Sequence, residues 1–247
     1  MKYCTKSLVI CVVALLLTVW HGHAQLSPNQ TGLNAAMLKL FGNTTAFTSK
    51  SQVQMLDKAD KETMSLPLDF ALLEGKIRLD LDLTKIKSKD LTPEMIAPFK
   101  QMNMTKMATV VRTDKKQTLV IYPGLQAYAE TPMSSEEKAD WDSKYKLEKT
   151  LLGKDTFDGH PCEKNRVVLI DGKGARQEAL VWNATDLKDF PVQIQLKQPD
   201  ATVVMQFRDL QLVRPEAKQF EAPAGYAKHE SIEKLMQAAM AKMLGGK

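Results

Sequence analysis

Five stretches decide the fold: F-D-G-H-P-C-E-K (157–164), A-L-V-W-N-A-T-D (179–186), D-F-P-V-Q-I-Q-L (189–196), V-V-M-Q-F-R-D-L (203–210) and F-E-A-P-A-G-Y (220–226). They read as successive strands with turn residues between them. Asp171-Gly172-Lys173-Gly174 turns Arg166–Ile170 back on Gln177–Trp182. Gln198-Pro199-Asp200 does the same for Val192–Leu196 and Val203–Val213. Glycine- and proline-bearing turns between β-branched and aromatic runs are hairpin signals, and a series of hairpins builds an antiparallel sheet. Tyr145, Leu147, Lys149 and Leu151 begin the series, ahead of an exposed turn at Asp158-Gly159.

The same reading extends upstream. Ile77, Leu79, Leu81 and Leu83 alternate with Lys76, Arg78, Asp80 and Asp82, so one face of this strand is apolar and the other charged. Such a strand belongs to an antiparallel sheet with one face in water. Phe47–Leu56 and Thr63–Leu73 precede it, the second bending at Pro67 and turning at Gly75. Met107–Arg112 and Thr118–Tyr122 pair around Asp114-Lys115-Lys116, and Gln126–Glu130 adds a short strand. Helical spacing appears at Leu33–Phe41, stopped by Gly42-Asn43, and after Thr92-Pro93, a cap with proline in the first turn. Ser134-Ser135-Glu136-Glu137 opens a short helix carrying Trp141, and Ile232–Met243 forms an amphipathic tail ending at Gly245-Gly246. The class is α+β. A lead-in with a short helix spans 25–44, one continuous sheet domain 45–228, and a C-terminal amphipathic helix 229–247.

Residues 1–24 have the form of a secretory signal peptide: Lys2 and Lys6, an apolar run Leu8–Trp20, and Gly22-His23-Ala24 as the cleavage site. That run is shorter than the roughly 20 residues that span a bilayer. Cleavage predicts a mature, soluble, periplasmic or secreted chain from Gln25 onward. Removing Lys2 and Lys6 from 34 basic residues leaves 32 against 29 acidic, a net charge of +3. The charges are interspersed, which excludes a nucleic-acid footprint. Cys4 and Cys11 leave with the signal, so Cys162 has no partner for an intramolecular disulfide.

Catalytic constellations are missing. No G-x-S-x-G, H-E-x-x-H or glycine-rich phosphate loop occurs, and the mature chain keeps only His160 and His229. A zinc site wants three or four ligands at defined spacing. His160 beside Cys162 reads either as an activated thiol or, more simply, as a turn whose Pro161 stiffens the start of a strand and whose cysteine is buried. Met95, Met102, Met104, Met236, Met240 and Met243 suit a surface that repacks around apolar ligands, or an ordinary helix-to-sheet core. Trp141 and Trp182 sit where helix or strand meets loop, as core or pocket aromatics. N-x-S/T triplets begin at Asn29, Asn43, Asn103 and Asn183.

The segment V-W-N-A-T-D-L-K-D-F-P-V-Q-I (181–194) and its continuation V-V-M-Q-F-R-D-L-Q-L-V-R-P-E-A-K-Q-F-E-A-P-A-G-Y (203–226) resemble the LolA/LolB-like superfamily of periplasmic lipoprotein carriers. The matching positions are Phe190-Pro191, Phe207, Phe220, Pro223 and Gly225, and the resemblance is best over Lys144–Lys228. It implies an incomplete, half-open barrel with helices on its concave face and an apolar cavity between them that accepts acyl chains. The expected lining is Ile77, Leu79, Leu81 and Leu83 from the strand, facing Met95, Ile96, Phe99 and Met102 from the helix. The function expected is non-enzymatic binding of a lipid or lipoprotein acyl chain, with no cofactor and no metal. An envelope protein partner and peripheral contact with a membrane are compatible with it. The alternative is a protein-interaction or sensor module that uses the sheet edge or the tail helix.

Overall fold

The computed structural model describes residues 35–245. The signal-peptide reading and Asn29 lie outside the described residues. In chain order the elements are α1 (Ala35–Leu40), β1 (Ala46–Leu56), β2 (Glu62–Leu73), β3 (Lys76–Asp82), β4 (Lys87–Ser88), α2 (Pro93–Gln101), β5 (Lys106–Arg112), β6 (Gln117–Tyr122) and β7 (Ala127–Pro132). Then follow α3 (Ser135–Asp142), β8 (Lys146–Phe157), β9 (His160–Ile170), β10 (Arg176–Ala184), β11 (Phe190–Lys197), β12 (Thr202–Gln211), β13 (Ala227–His229) and α4 (Ile232–Gly245).

The thirteen strands among the described residues join one sheet, ordered β13-β7-β6-β5-β3-β2-β1-β12-β11-β10-β9-β8, with β4 paired to β2. Among the described strands only β13 on β7 is parallel. Among the described residues neither β13 nor β8 has a second neighbour, so the sheet they form does not close. It does curl. The Arg208 guanidinium of β12 lies 5.5 Å from the ring of Phe157 on β8, with three strands between them. At 4.7–4.9 Å per strand, a flat sheet would hold these positions about 19 Å apart. This is the expected half-open antiparallel sheet.

Hairpin geometry follows from local chemistry. Leu73 pairs with Lys76 around Glu74 (φ 50°) and Gly75 (φ 81°), and Phe157 pairs with His160 around Asp158 (φ 51°) and Gly159 (φ 84°). Two-residue loops with both φ values positive match the twist of the strands they join.

Side-chain alternation splits the sheet into two faces. Phe47, Phe70, Phe190 and Phe207 point inward and meet Phe41, which follows α1, with ring centroids 4.8–6.0 Å apart. Packed aromatic pairs contribute about 0.5–1.5 kcal/mol each beyond their buried area. This is the main core. A second inner cluster gathers Leu83, Phe99, Met102, Met104, Met107, Val120 and Tyr122 with Leu235, Met236 and Ala239 of α4. On the outer face, Ala71, Leu73, Val110, Leu119 and Ile121 are covered by Phe220.

Two local expectations are corrected. F-E-A-P-A-G-Y is not a strand: a 3-10 turn, Ala217–Phe220, leads into an irregular strap across the outer face, because Phe220 is consumed as a buried plug and Pro223 withholds a ladder donor. β9 begins at His160 rather than Arg166, with Pro161 placed opposite Thr156 beside the hairpin turn. β2 carries Pro67 without a register shift against β1. Pro67 sits between the β4 pairing, which ends at Ser65, and the β3 pairing, which starts at Leu68, so on that side its missing N–H costs the ladder nothing.

Candidate functional site

The alternation of β3 places Ile77, Leu79 and Leu81 on the inner face, opposite Leu72, Phe70 and Leu68 of β2 and Val111, Thr109 and Met107 of β5. Ile77 is fully buried in the phenylalanine core, against which Leu79 packs while partly exposed. Leu81 and Ile86 are partly exposed and pack against both inner clusters. Leu83 falls just past the strand, in the 3-10 turn Leu83–Lys85 that Asp82 caps through the Thr84 N–H, and is buried in the second cluster.

α2 starts at Pro93 after Thr92, which has the extended backbone of a cap but makes no side-chain capping bond. Instead the Thr92 hydroxyl bonds to the Glu94 carboxylate and holds its pKa below the ordinary value. Pro98 lies inside the helix, and its last turn closes through Met102 N–H to the Pro98 carbonyl at 3.0 Å and Met104 N–H to the Phe99 carbonyl at 2.7 Å. Phe99 and Met102 are buried beside Leu83. Met95, 38% exposed, and the half-buried Ile96 belong to neither inner cluster. Of the eight expected lining residues, Leu81, Leu83, Phe99 and Met102 are thus brought together, Ile77 and Leu79 belong to the neighbouring core, and Met95 and Ile96 stand apart.

Sequence reasoning missed Ile86 and the docking of α4 against this cluster. Ile86 follows the strand with no periodic signal. Leu235, Met236 and Ala239 of α4 form one wall of the second cluster, a placement that depends on the parallel pairing of β13 with β7. The cluster is dry enough for burial to push the Tyr122 phenol up to about 12.

His160 and Cys162 do not form a catalytic pair. The His160 ring bonds Asp186 at 2.8 Å, whereas the Cys162 thiol donates to the His160 carbonyl and is raised in pKa by burial. Trp182 is buried with its indole N–H on Asp155 at 2.8 Å, a core position, and Trp141 is a partly buried member of the same packing. Asn183 is buried, donating to the Asp189 carbonyl and accepting from Asn165. Asn43 and Asn103 are exposed. Among the described residues no group of three or more His, Cys, Asp or Glu side chains is placed to hold a metal ion. Among them, too, no helix is long and apolar enough to cross a membrane.

No family model and no curated protein matches the chain. Solved structures similar to it include the lipoprotein LppX from Mycobacterium tuberculosis (11% identity, 71% of this chain and 91% of that one, TM-score 0.39). A LolA superfamily protein from Nitrosomonas europaea is similar at 10% identity over 77% of this chain and 96% of that one, TM-score 0.34. A putative outer membrane lipoprotein-sorting protein domain from Vibrio parahaemolyticus is similar at 11% identity, over 76% and 96%, TM-score 0.38.

Proposed function

We propose that this protein is an exported binding protein of the cell envelope that holds a lipid or lipoprotein acyl chain between its sheet and helices, without catalysis. The observation that carries the reading is the seam between the two inner clusters. Large aliphatic side chains on an inner sheet face are ordinarily buried completely. Here Leu79, Leu81 and Val111 remain partly exposed beside the phenylalanine core, and Leu81, together with the partly exposed Ile86 just past the strand, also packs against the α2–α4 cluster. An acyl chain laid along this seam removes the same surface from water. At about 0.8 kcal/mol per methylene, about ten buried methylenes supply roughly 8 kcal/mol, which corresponds to micromolar affinity. The thioethers of Met102, Met104 and Met107, buried in the adjoining cluster, are flexible enough to repack around such a chain. Native mass spectrometry of protein purified from its own envelope tests the reading, with bound lipid as the expected result.

A second reading, a protein-interaction module, is favoured by β8, an edge strand that exposes Leu147 (39%), Leu151 (56%) and Leu152 (53%). Lys146, Lys149 and Lys154 and the bulge between Leu151 and Gly153 guard that edge against indiscriminate strand addition. Capture of one stoichiometric protein partner, lost in Leu151→Lys, with no co-purifying lipid, is the outcome that would favour it.

A further inference from the structure

At β8 the sheet stops with its inner face unfinished. Leu147, Lys149 and Leu151 lie opposite Leu169, Val167 and Asn165 of β9, and cross-strand partners share a face. The three β9 residues are buried, Val167 and Leu169 in the phenylalanine core, whereas the three β8 residues are exposed. Among the described residues nothing pairs with the far edge of β8. The outward N–H and C=O groups of its regular stretch, residues 146–151, are therefore a template for one more strand. The bulge between Leu151 and Gly153 ends that stretch.

Charge decides what kind of strand fits. On the other face of β8, Glu148 is already held by Arg176 at 3.2 Å and Lys146 at 3.3 Å. Lys149, between the two leucines, makes no hydrogen bond or ion pair among the described residues. An opposite charge directly across from it in a neighbouring strand is stabilising and a like charge is not. A second copy of this chain is the poorer occupant for that reason. The two-fold register that sets Leu147 on Leu151 of another β8 also sets Lys149 against Lys149.

We propose that β8 accepts, as an added strand, an extended acidic peptide of the pattern apolar-x-acidic-x-apolar. Its carboxylate meets Lys149, and its two apolar side chains cover Leu147 and Leu151. The inference rests on the interaction-module reading and names the chemistry of its partner. The intervening positions meet Glu148 and Thr150, which suits uncharged polar residues such as threonine. The pattern reads the same in both directions, so parallel and antiparallel addition satisfy it equally. Lysines that reject a basic edge thus select an acidic one.

The test is a fluorescence-anisotropy titration of the full chain with two labelled heptapeptides, T-I-T-E-T-I-T and T-I-T-K-T-I-T, with amide chemical shifts to locate the contact. The acidic peptide should saturate below millimolar concentration, shift residues 146–151, and bind about fivefold more tightly than the lysine peptide. Lys149→Glu, at an exposed position that leaves the fold intact, should reverse the preference. Lys173→Glu, in the exposed β9–β10 turn, should leave it as in the native chain. The proposal is overturned if neither peptide saturates, if both bind alike, if Lys149→Glu keeps the native preference, or if Lys173→Glu loses it equally. A concentration-dependent dimer in sedimentation, abolished by Leu151→Lys, would overturn it in favour of a second copy. A native partner cross-linked through α4, with no peptide selectivity at β8, overturns the proposal and leaves the interaction-module reading standing. Peptide selectivity with no native partner captured supports the proposal and counts only against that reading.

Discussion

Arg112 of β5 donates its Nη1 to the carbonyl of Phe220 at 2.9 Å and so pins the strap over the outer apolar face. The same guanidinium, only 3% exposed, grips Asp114 through Nε and Nη2 at 2.9 and 2.8 Å and forms an ion pair with Glu221. Its pKa is raised above the ordinary arginine value, chiefly by the bond to Asp114. Arg112→Met keeps most of the apolar stem and removes every one of these bonds. It should destabilise the protein by about 1–3 kcal/mol in denaturant unfolding and open the strap to proteolysis.

The same bonds predict an acid response. The Arg112 guanidinium holds the Asp114 carboxyl down at about 2 and the Glu221 carboxyl below its ordinary range. A carboxylate with a depressed folded pKa contributes stability that is full above its unfolded value and is lost as pH falls through the folded one. Stability should therefore decline from about pH 4 towards pH 2. Arg112→Met should flatten that decline. Unfolding curves at pH 6, 4 and 3 read both effects.

Cys162 should behave as a buried packing residue. It is 3% exposed, and burial raises its thiol pKa, the reverse of an activated nucleophile. Native protein should react slowly with a disulfide-exchange reagent at neutral pH, and Cys162→Ala should cost about 1 kcal/mol. Rapid alkylation of the folded protein would contradict this.

Residues whose signal is local were legible in the sequence. β3 could be read because Ile77, Leu79 and Leu81 alternate with charges, and the β9–β10 hairpin because Asp171-Gly172-Lys173-Gly174 imposes its turn. α3 could be read because Ser134 and Glu137 complete a reciprocal cap, present in the structure at 3.1 and 2.7 Å. Residues whose role is set at long range were not. Phe220 has the pattern of a strand residue and becomes a plug, a fate decided by the outer face of β2, β5 and β6. Met95 and Ile96 share α2 with Phe99, but helical spacing alone does not say which side meets the sheet. Half of the expected site lies together because β3 runs directly into Leu83, and α2 then folds back over that turn. The α4 wall required a parallel pairing between β7 and β13 that leaves no local trace.

The most direct test of apolar binding at the seam is a fluorescent fatty-acid titration of the native protein and of Leu81→Asp. Phe99 is a poorer position, because it is 6% exposed within the second cluster and a charge there disrupts packing rather than binding. Leu81 is partly exposed and touches both clusters, so an aspartate can stay hydrated in the empty protein and must be desolvated under an acyl chain. Native protein should bind with saturation near micromolar concentration, and Leu81→Asp should bind at least about tenfold more weakly with an unchanged circular dichroism spectrum. Failure of the native protein to bind, or equal binding by a folded Leu81→Asp, would contradict the account.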